Sequence, residues 1–194
     1  NGGVDLACGG LDFDPPGDIN LNDIAYEIAD FDLMSRWLAY GDSVLDINPQ
    51  YRQAQIEYSD ANQDGETGSV ADMVYLVRVI VGDALPFPKL MPYQQSALIE
   101  KLNDTIYVAS NDSLAGILIL LKAGEETGFE NLSNLELVVG RRGSLTTLLF
   151  KPSLANLQGH ISAGRSALVR VKGKCELQDA EVSDYNGSCM NVRK

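Results

Sequence analysis

A pattern that begins at Asp18 returns at Asp60, 42 residues later, and this duplication constrains the chain more than any other feature. The first copy reads D-I-N-L-N-D-I-A-Y-E-I-A-D from Asp18 to Asp30, and the second reads D-A-N-Q-D-G-E-T-G-S-V-A-D from Asp60 to Asp72. Both set oxygen-bearing side chains at positions 1, 3 and 5 and an aspartate at position 13. Each then runs into apolar residues at helical spacing: Phe31, Leu33, Met34, Trp37 and Leu38 in one copy, Met73, Val74, Leu76, Val77 and Ile80 in the other. Arg36 and Arg78 fall at matching places, and Gly41 and Gly82 are positioned to cap the two helices.

Oxygen donors at alternate positions of a tight loop are what calcium requires, since Ca²⁺ takes about 6–8 oxygen ligands. Loop 1 offers Asp18, Asn20, Asn22, the carbonyl of Ile24 and Asp30; loop 2 offers Asp60, Asn62, Asp64, the carbonyl of Glu66 and Asp72. Gly65 supplies the sharp turn of loop 2, and Asp23 stands in its place in loop 1, one of the few residue types that tolerate positive φ. Two Ca²⁺ sites are expected, the tighter in loop 2, which has three carboxylates against two. The plain alternative is a pair of Asx-rich turns that cap helices without metal. Two copies with the same offsets favour the metal.

Segments 18–41 and 60–83 resemble the two calcium loop–helix repeats of dockerin domains, most closely in S-V-A-D-M-V-Y-L-V-R-V-I-V-G-D. Between them Asn48 reads as an N-cap and Pro49 as the first residue of a short helix to Tyr58; dockerins have a comparable linking helix. The closing aspartate sits at position 13, where the usual dockerin loop has it at 12, and both copies share that extra residue. The resemblance implies a small all-α, EF-hand-like calcium domain that docks onto a partner.

The charge agrees. Residues 1–89 hold 16 Asp and Glu against 4 Lys and Arg, while residues 90–194 hold 11 of each, so the net charge of −12 lies wholly in the first part. That part is unsuited to a phosphate backbone and suited to divalent cations or basic partners. No apolar run approaches the ~18 residues of a membrane span. The single histidine, His160, leaves little material for His-based metal sites or Ser-His-Asp triads. No phosphate loop, GxGxxG, GxSxG or HExxH occurs. A start without Met and without a signal-like segment reads as a mature, processed chain or an excised fragment.

From Pro86 the pattern changes. L-P-F-P-K-L-M-P is a proline-rich linker, and β-type runs follow at 105–109, 114–122, 135–139, 145–150, 167–172 and 176–182. Turn signals lie between them at 111–112, Gly124, 140–143, Gly159, Gly164 and 186–187. Such spacing predicts an antiparallel β-sandwich. Y-Q-Q-S-A-L-I-E-K-L at 93–102 is read as a possible helix. The ending A-E-V-S-D-Y-N-G-S-C-M-N-V is similar to the last hairpin of cohesin-like domains, and 145–150 to one of their interior strands. The expected fold class is α+β multidomain: a dockerin-like domain at 1–85, a linker at 86–92 and a cohesin-like sandwich at 93–194.

Cys175 and Cys189 flank two runs expected to pair, 176–182 and 188–192, which makes a cross-hairpin disulfide plausible; Cys8 is left over. Three buried thiols is the alternative. Sequons at Asn103, Asn111, Asn131 and Asn186 all fall in the second part, near turns. His160 reads as a surface residue, Arg141-Arg142 as a solvated hairpin tip or an anion grip, and Trp37 as core or an exposed recognition residue.

These features predict an extracellular or cell-surface, non-enzymatic, calcium-binding assembly protein. Its expected partner is another copy of itself, joined head-to-tail into a fibre, filament or layer, or else a separate cohesin-like or dockerin-like protein. The alternatives are a dockerin-type adaptor that anchors another secreted protein in a complex, and a carbohydrate-binding or glycan-degrading module. Paired carboxylates for glycoside hydrolysis are not recognisable in the second part.

Overall fold

The computed structural model describes residues 15–86 and 95–194. Most of the proline-rich linker, and Cys8, lie outside the described residues.

Each repeat folds as its sequence dictates. Loop 1 leads into helix α1 (Ile28–Tyr40) and loop 2 into α3 (Val70–Ile80), with α2 (Pro49–Tyr58) between. Asn48 caps α2, accepting from the Gln50 N–H, with Pro49 in the first turn where its missing donor costs nothing. Gly41, at φ 77°, ends α1, and Gly82, at φ 81°, follows the last turn of α3. Phe31 and Met34 of α1 pack with Met73, Leu76 and Val77 of α3 into a small buried core.

Among the described residues the second unit is a sandwich of nine strands: β1 (Ser96–Leu102), β2 (Thr105–Ser110), β3 (Leu114–Ala123), β4 (Gly128–Asn131), β5 (Glu136–Arg142), β6 (Leu145–Lys151), β7 (Gly164–Lys172), β8 (Cys175–Asp184) and β9 (Asn191–Arg193). One sheet has the order β4-β7-β2-β1-β9, the other β5-β6-β3-β8. Ile99, Ile106 and Val108 from the first sheet interleave with Ile117, Ile119, Leu148 and Phe150 from the second. The six runs read from sequence are all strands. The segment 93–102 is corrected: its described part from Ser96 is β1, with Ala97 and Ile99 turned inward and Ser96 and Leu98 outward. Register against β2 overrides its local helix propensity. The sandwich is also not wholly antiparallel, because β9 pairs parallel to β1.

Strand β6 explains how the two units fit. An exposed sheet face alternates apolar and polar residues, but Thr146 to Lys151 are all buried. Leu148 and Phe150 face the sandwich core, while Leu149 joins the core of the helices. The outer face of the β5-β6-β3-β8 sheet is covered by α1 and α3. Among the described residues, no helix is long and apolar enough to cross a membrane.

Candidate calcium loops and the docking face

The two loops share one construction. Asp30 and Asp72 are each the third residue of their helix, fully buried, and each reaches back across its loop. Asp30 Oδ1 accepts from the N–H groups of Ile19 (2.8 Å) and Asn20 (3.0 Å), and Oδ2 from Glu27 N–H at 3.1 Å. Asp72 Oδ1 accepts from Asn62 N–H (3.2 Å), and Oδ2 from Ser69 N–H (3.0 Å) and Ser69 Oγ (2.7 Å). The extra residue in each loop thus places the closing carboxylate in a capping box, where it satisfies helix and loop donors together.

The loop entrances also correspond. Asp18 accepts from Asn22 N–H (3.1 Å) and Asp23 N–H (2.8 Å); Asp60 accepts from Gly65 N–H at 3.1 Å. Asp23, at φ 70°, adopts the left-handed turn that Gly65 makes at φ 93°. Asn22 and Asp64, at position 5, lie toward solvent, as do the side chains of Ile24 and Glu66, whose expected contribution is main-chain carbonyl.

Electrostatics mark these carboxylates as costly. Burial pushes Asp30 up to about 6, with Asp18 adding repulsion and three backbone N–H bonds opposing. Burial pushes Asp72 up to about 7, against the Ser69 and Asn62 bonds, with Asp64 adding repulsion. Asp60 is raised by the same causes, desolvation first and then Asp64. Two enclosed oxygens, Asn20 Oδ1 and Asp60 Oδ1, have no hydrogen-bond partner. A bare acceptor close to a raised carboxylate fits a hard cation. Among the described residues no three or more His, Cys, Asp or Glu side chains converge tightly enough to hold a metal. Amide and main-chain oxygens are therefore needed to complete either set.

The docking face is shaped by glycine. Gly116 on β3 lies under α3, where a Cβ would stand 2.7 Å from Val74 Cγ2 and 3.0 Å from Val70 Cγ2. A Cβ at Gly140 on β5 would overlap the Ala39 carbonyl near the end of α1. These strand glycines let helix backbone come down onto the sheet. Polar contacts frame the apolar centre. Asn62 Nδ2 donates to the Gly187 carbonyl (3.0 Å), Arg78 to the Asn186 carbonyl (3.1 Å), and Gln158 (3.2 Å) and Tyr185 (3.1 Å) to Asp83. Lys151 Nζ lies 4.9 Å from the Phe31 ring centroid and pairs with Glu136 at 2.8 Å. Glu181 stands at the open rim of the face, yet its carboxyl end is desolvated and raised, with the Val70 N–H at the start of α3 opposing.

Several expectations change. Cys175 and Cys189 are free thiols. Cys175 lies opposite Ala123 at the start of β8, whereas Cys189 bridges Ser183 near its other end. Eight strand residues at ~3.3 Å each separate those places, far beyond the ~4.4–6.8 Å that a disulfide spans between Cα atoms. Burial, with Asp64 and Glu66 nearby, pushes the Cys189 thiol up to about 12. Arg141 and Arg142 are exposed on the last rungs of the β5-β6 hairpin, as the hairpin-tip reading has it, and the Arg141 guanidinium donates to the carbonyls of Gly124, Glu125 and Thr127 rather than gripping an anion. Trp37 is half-buried, lies over Gly68 of loop 2 and donates to Asp42 at 3.0 Å, so it ties the first helix to the second loop. His160 is exposed beside Tyr185. Asn103, Asn111 and Asn186 are exposed in turns, while the Asn131 amide donates to the Leu135 carbonyl at 2.7 Å. The docking glycines were missed in the sequence, although an isolated glycine inside an apolar strand signals close backbone approach.

No family model matches the sequence, and no curated protein matches it significantly. Solved structures do. A chain of the Coh-OlpC-Doc435 cohesin–dockerin complex from Clostridium thermocellum aligns at TM-score 0.34 and 14% identity, over 54% of this chain and 91% of the other. A non-cellulosomal cohesin from Archaeoglobus fulgidus aligns at TM-score 0.32 and 15% identity, over 51% and 77%. A GH20 exo-β-N-acetylglucosaminidase from Vibrio harveyi aligns at TM-score 0.27 and 14% identity, over 53% of this chain but 18% of that enzyme.

Proposed function

We propose that this chain is a calcium-dependent, non-enzymatic protein-interaction module of the cell exterior. The loop–helix unit acts as a plug and the β5-β6-β3-β8 face as its socket. The seating of α1 and α3 over Gly140 and Gly116 carries the reading, because strand glycines under helix backbone are shaped for that contact. Calcium would neutralise loop carboxylates that otherwise repel one another, so that the helices hold the spacing the socket requires. Asp18, Asn20, Asn22 and Asp30 would hold one ion with the Ile24 carbonyl; Asp60, Asn62, Asp64 and Asp72 the other with the Glu66 carbonyl.

The plug is seated on its own chain. Assembly with further copies then proceeds by exchange, the plug of one chain entering the socket of the next, which propagates head-to-tail unless the rotation closes. A non-enzymatic role is supported by the absence of a recognisable carboxylate pair in the second part of the sequence, where five of the eleven acids, Glu100, Asp104, Glu130, Glu136 and Asp179, are held in ion pairs. The exposed sequons support an extracellular setting; the free thiols of Cys175 and Cys189 add nothing to it.

Light scattering tests this, with calcium, with chelator, and after chelated protein is returned to calcium at high concentration. Oligomers that form on return and dissolve in chelator are expected. A chain that stays monomeric throughout removes assembly, and helices that bind no calcium remove the module reading altogether.

A further inference from the structure

The duplicated loops differ at one place that decides how each is completed. In loop 1, Glu27 Oε1 accepts from both loop amides, Asn20 Nδ2 at 2.8 Å and Asn22 Nδ2 at 2.7 Å. Loop 1 thus orients its own amide ligands. The residue 42 positions on from Glu27 is Ser69, whose short side chain is spent on Asp72. Within loop 2 the Asn62 amide has only Asp64 for company: its Oδ1 accepts from Asp64 N–H at 3.0 Å and its Nδ2 gives one hydrogen to Asp64 Oδ2 at 2.9 Å.

The sandwich supplies the second acceptor. Asn62, the counterpart of Asn20, is fully buried and donates Nδ2 to the Gly187 carbonyl at 3.0 Å, and to Asp64 Oδ2 at 2.9 Å. Gly187 belongs to the turn between β8 and β9 and is pressed against α3, where a Cβ would lie 3.0 Å from Tyr75 Cβ and 3.1 Å from Tyr75 N. One amide group therefore has its oxygen end in the loop and its nitrogen end on the other unit of the molecule.

We propose that the second calcium loop is completed by the sandwich, so that cation binding there and docking of the helices form one linked equilibrium, while loop 1 binds its cation independently of docking. This rests on the calcium reading above and specifies its regulation. With Gly187 in place, Asn62 is held with Oδ1 toward the loop; with the helices lifted, only Asp64 is left to hold the amide, and Asp64 is itself one of the loop's ligands, so loop 2 loses part of what orients Asn62. Linkage is reciprocal: whatever docking adds to calcium affinity in loop 2, calcium adds to docking.

The test uses the full chain. The amides of Asp23 and Gly65 donate to Asp18 and Asp60, so their NMR signals report loops 1 and 2 separately. Calcium alone is titrated into the wild type and into Gly116→Leu, a wedge under α3 and outside both loops. The Gly65 midpoint is expected to rise about tenfold in the variant, with the Asp23 midpoint unchanged. Equal rises at both amides, or none at either, overturn the proposal. If neither amide of the wild type responds to calcium, the calcium reading itself fails. Should Gly116→Leu not fold, Gly116→Ala is the smaller wedge, with a rise of about threefold at Gly65 alone expected; no rise overturns the proposal. Adding Ser69→Glu to the wedge gives loop 2 the acceptor that loop 1 already has. It should return the Gly65 midpoint most of the way to wild type, which a merely structural role for docking does not predict.

Discussion

The two repeats began as the same instruction and ended as different parts. In the first, Glu27 gathers the amides of Asn20 and Asn22, and its helix α1 keeps a largely exposed outer side. In the second, Ser69 cannot gather anything, Asn62 reaches out to Gly187, and α3 is buried from Val70 through Val77. One copy is self-sufficient, and the other is finished by its neighbour. The difference at one position, Glu27 against Ser69, leaves the Asn62 amide to share its hydrogens between Asp64 and an acceptor on the sandwich.

The comparison breaks most sharply at the closing aspartates. Asp72→Ala removes a buried carboxylate that accepts three bonds and leaves the Asn62 and Ser69 N–H groups unpaired inside the interface. At about 1–3 kcal/mol for each stranded buried donor, the loss should reach roughly 3 kcal/mol or more. Denaturant unfolding of Asp72→Ala and Asp30→Ala checks it. Loss of sandwich-face amide protection is expected in the first variant and not in the second.

Acidity sharpens the comparison further. Asp30 at about 6 and Asp72 at about 7 stand above the ordinary 3.8 of an aspartate, so the folded chain without calcium holds more protons than the unfolded one. Its stability should therefore fall as pH rises from about 4 to about 7. Calcium, which requires the deprotonated ligands, should reverse the slope. Unfolding midpoints across that range check the sign. Asp72→Asn should flatten the calcium-free profile more than Asp30→Asn, and a profile that rises without calcium would contradict the burial argument.

The smallest effect is local. Glu27→Ser gives loop 1 the chemistry of loop 2 without a sandwich to complete it. Calcium affinity read at the Asp23 amide should fall severalfold, with Gly65 unmoved.

Much of this was legible in the chain. The offset of 42 residues located both loops, Asn48-Pro49 marked the linking helix, and six apolar runs marked six strands. What failed had physical reasons. The Ser96–Leu102 strand is written in residues that suit a helix, and pairing with β2 decides otherwise. The short edge strands β4 and β9 are too brief to carry a period of their own. Gly140 read as a turn but lies within β5, because its reason is Ala39 of a helix 101 positions away. The cysteine pairing failed because Cys189 lies opposite Ser183, a strand's length along β8 from Cys175, and beyond it β9 leaves β8 to pair with β1. Contacts between units leave their mark on a sequence only as local oddities.

That departure of β9 has a mechanical side. Ser96, Ala97 and Leu98 align in parallel with Asn191, Val192 and Arg193, so the strand that opens the sandwich and the strand that closes it leave toward opposite ends. Tension between the linker and the C-terminus would load those rungs together, in shear, rather than peel them one at a time. A link in a chain under load is better built that way than as a hairpin whose two ends leave side by side.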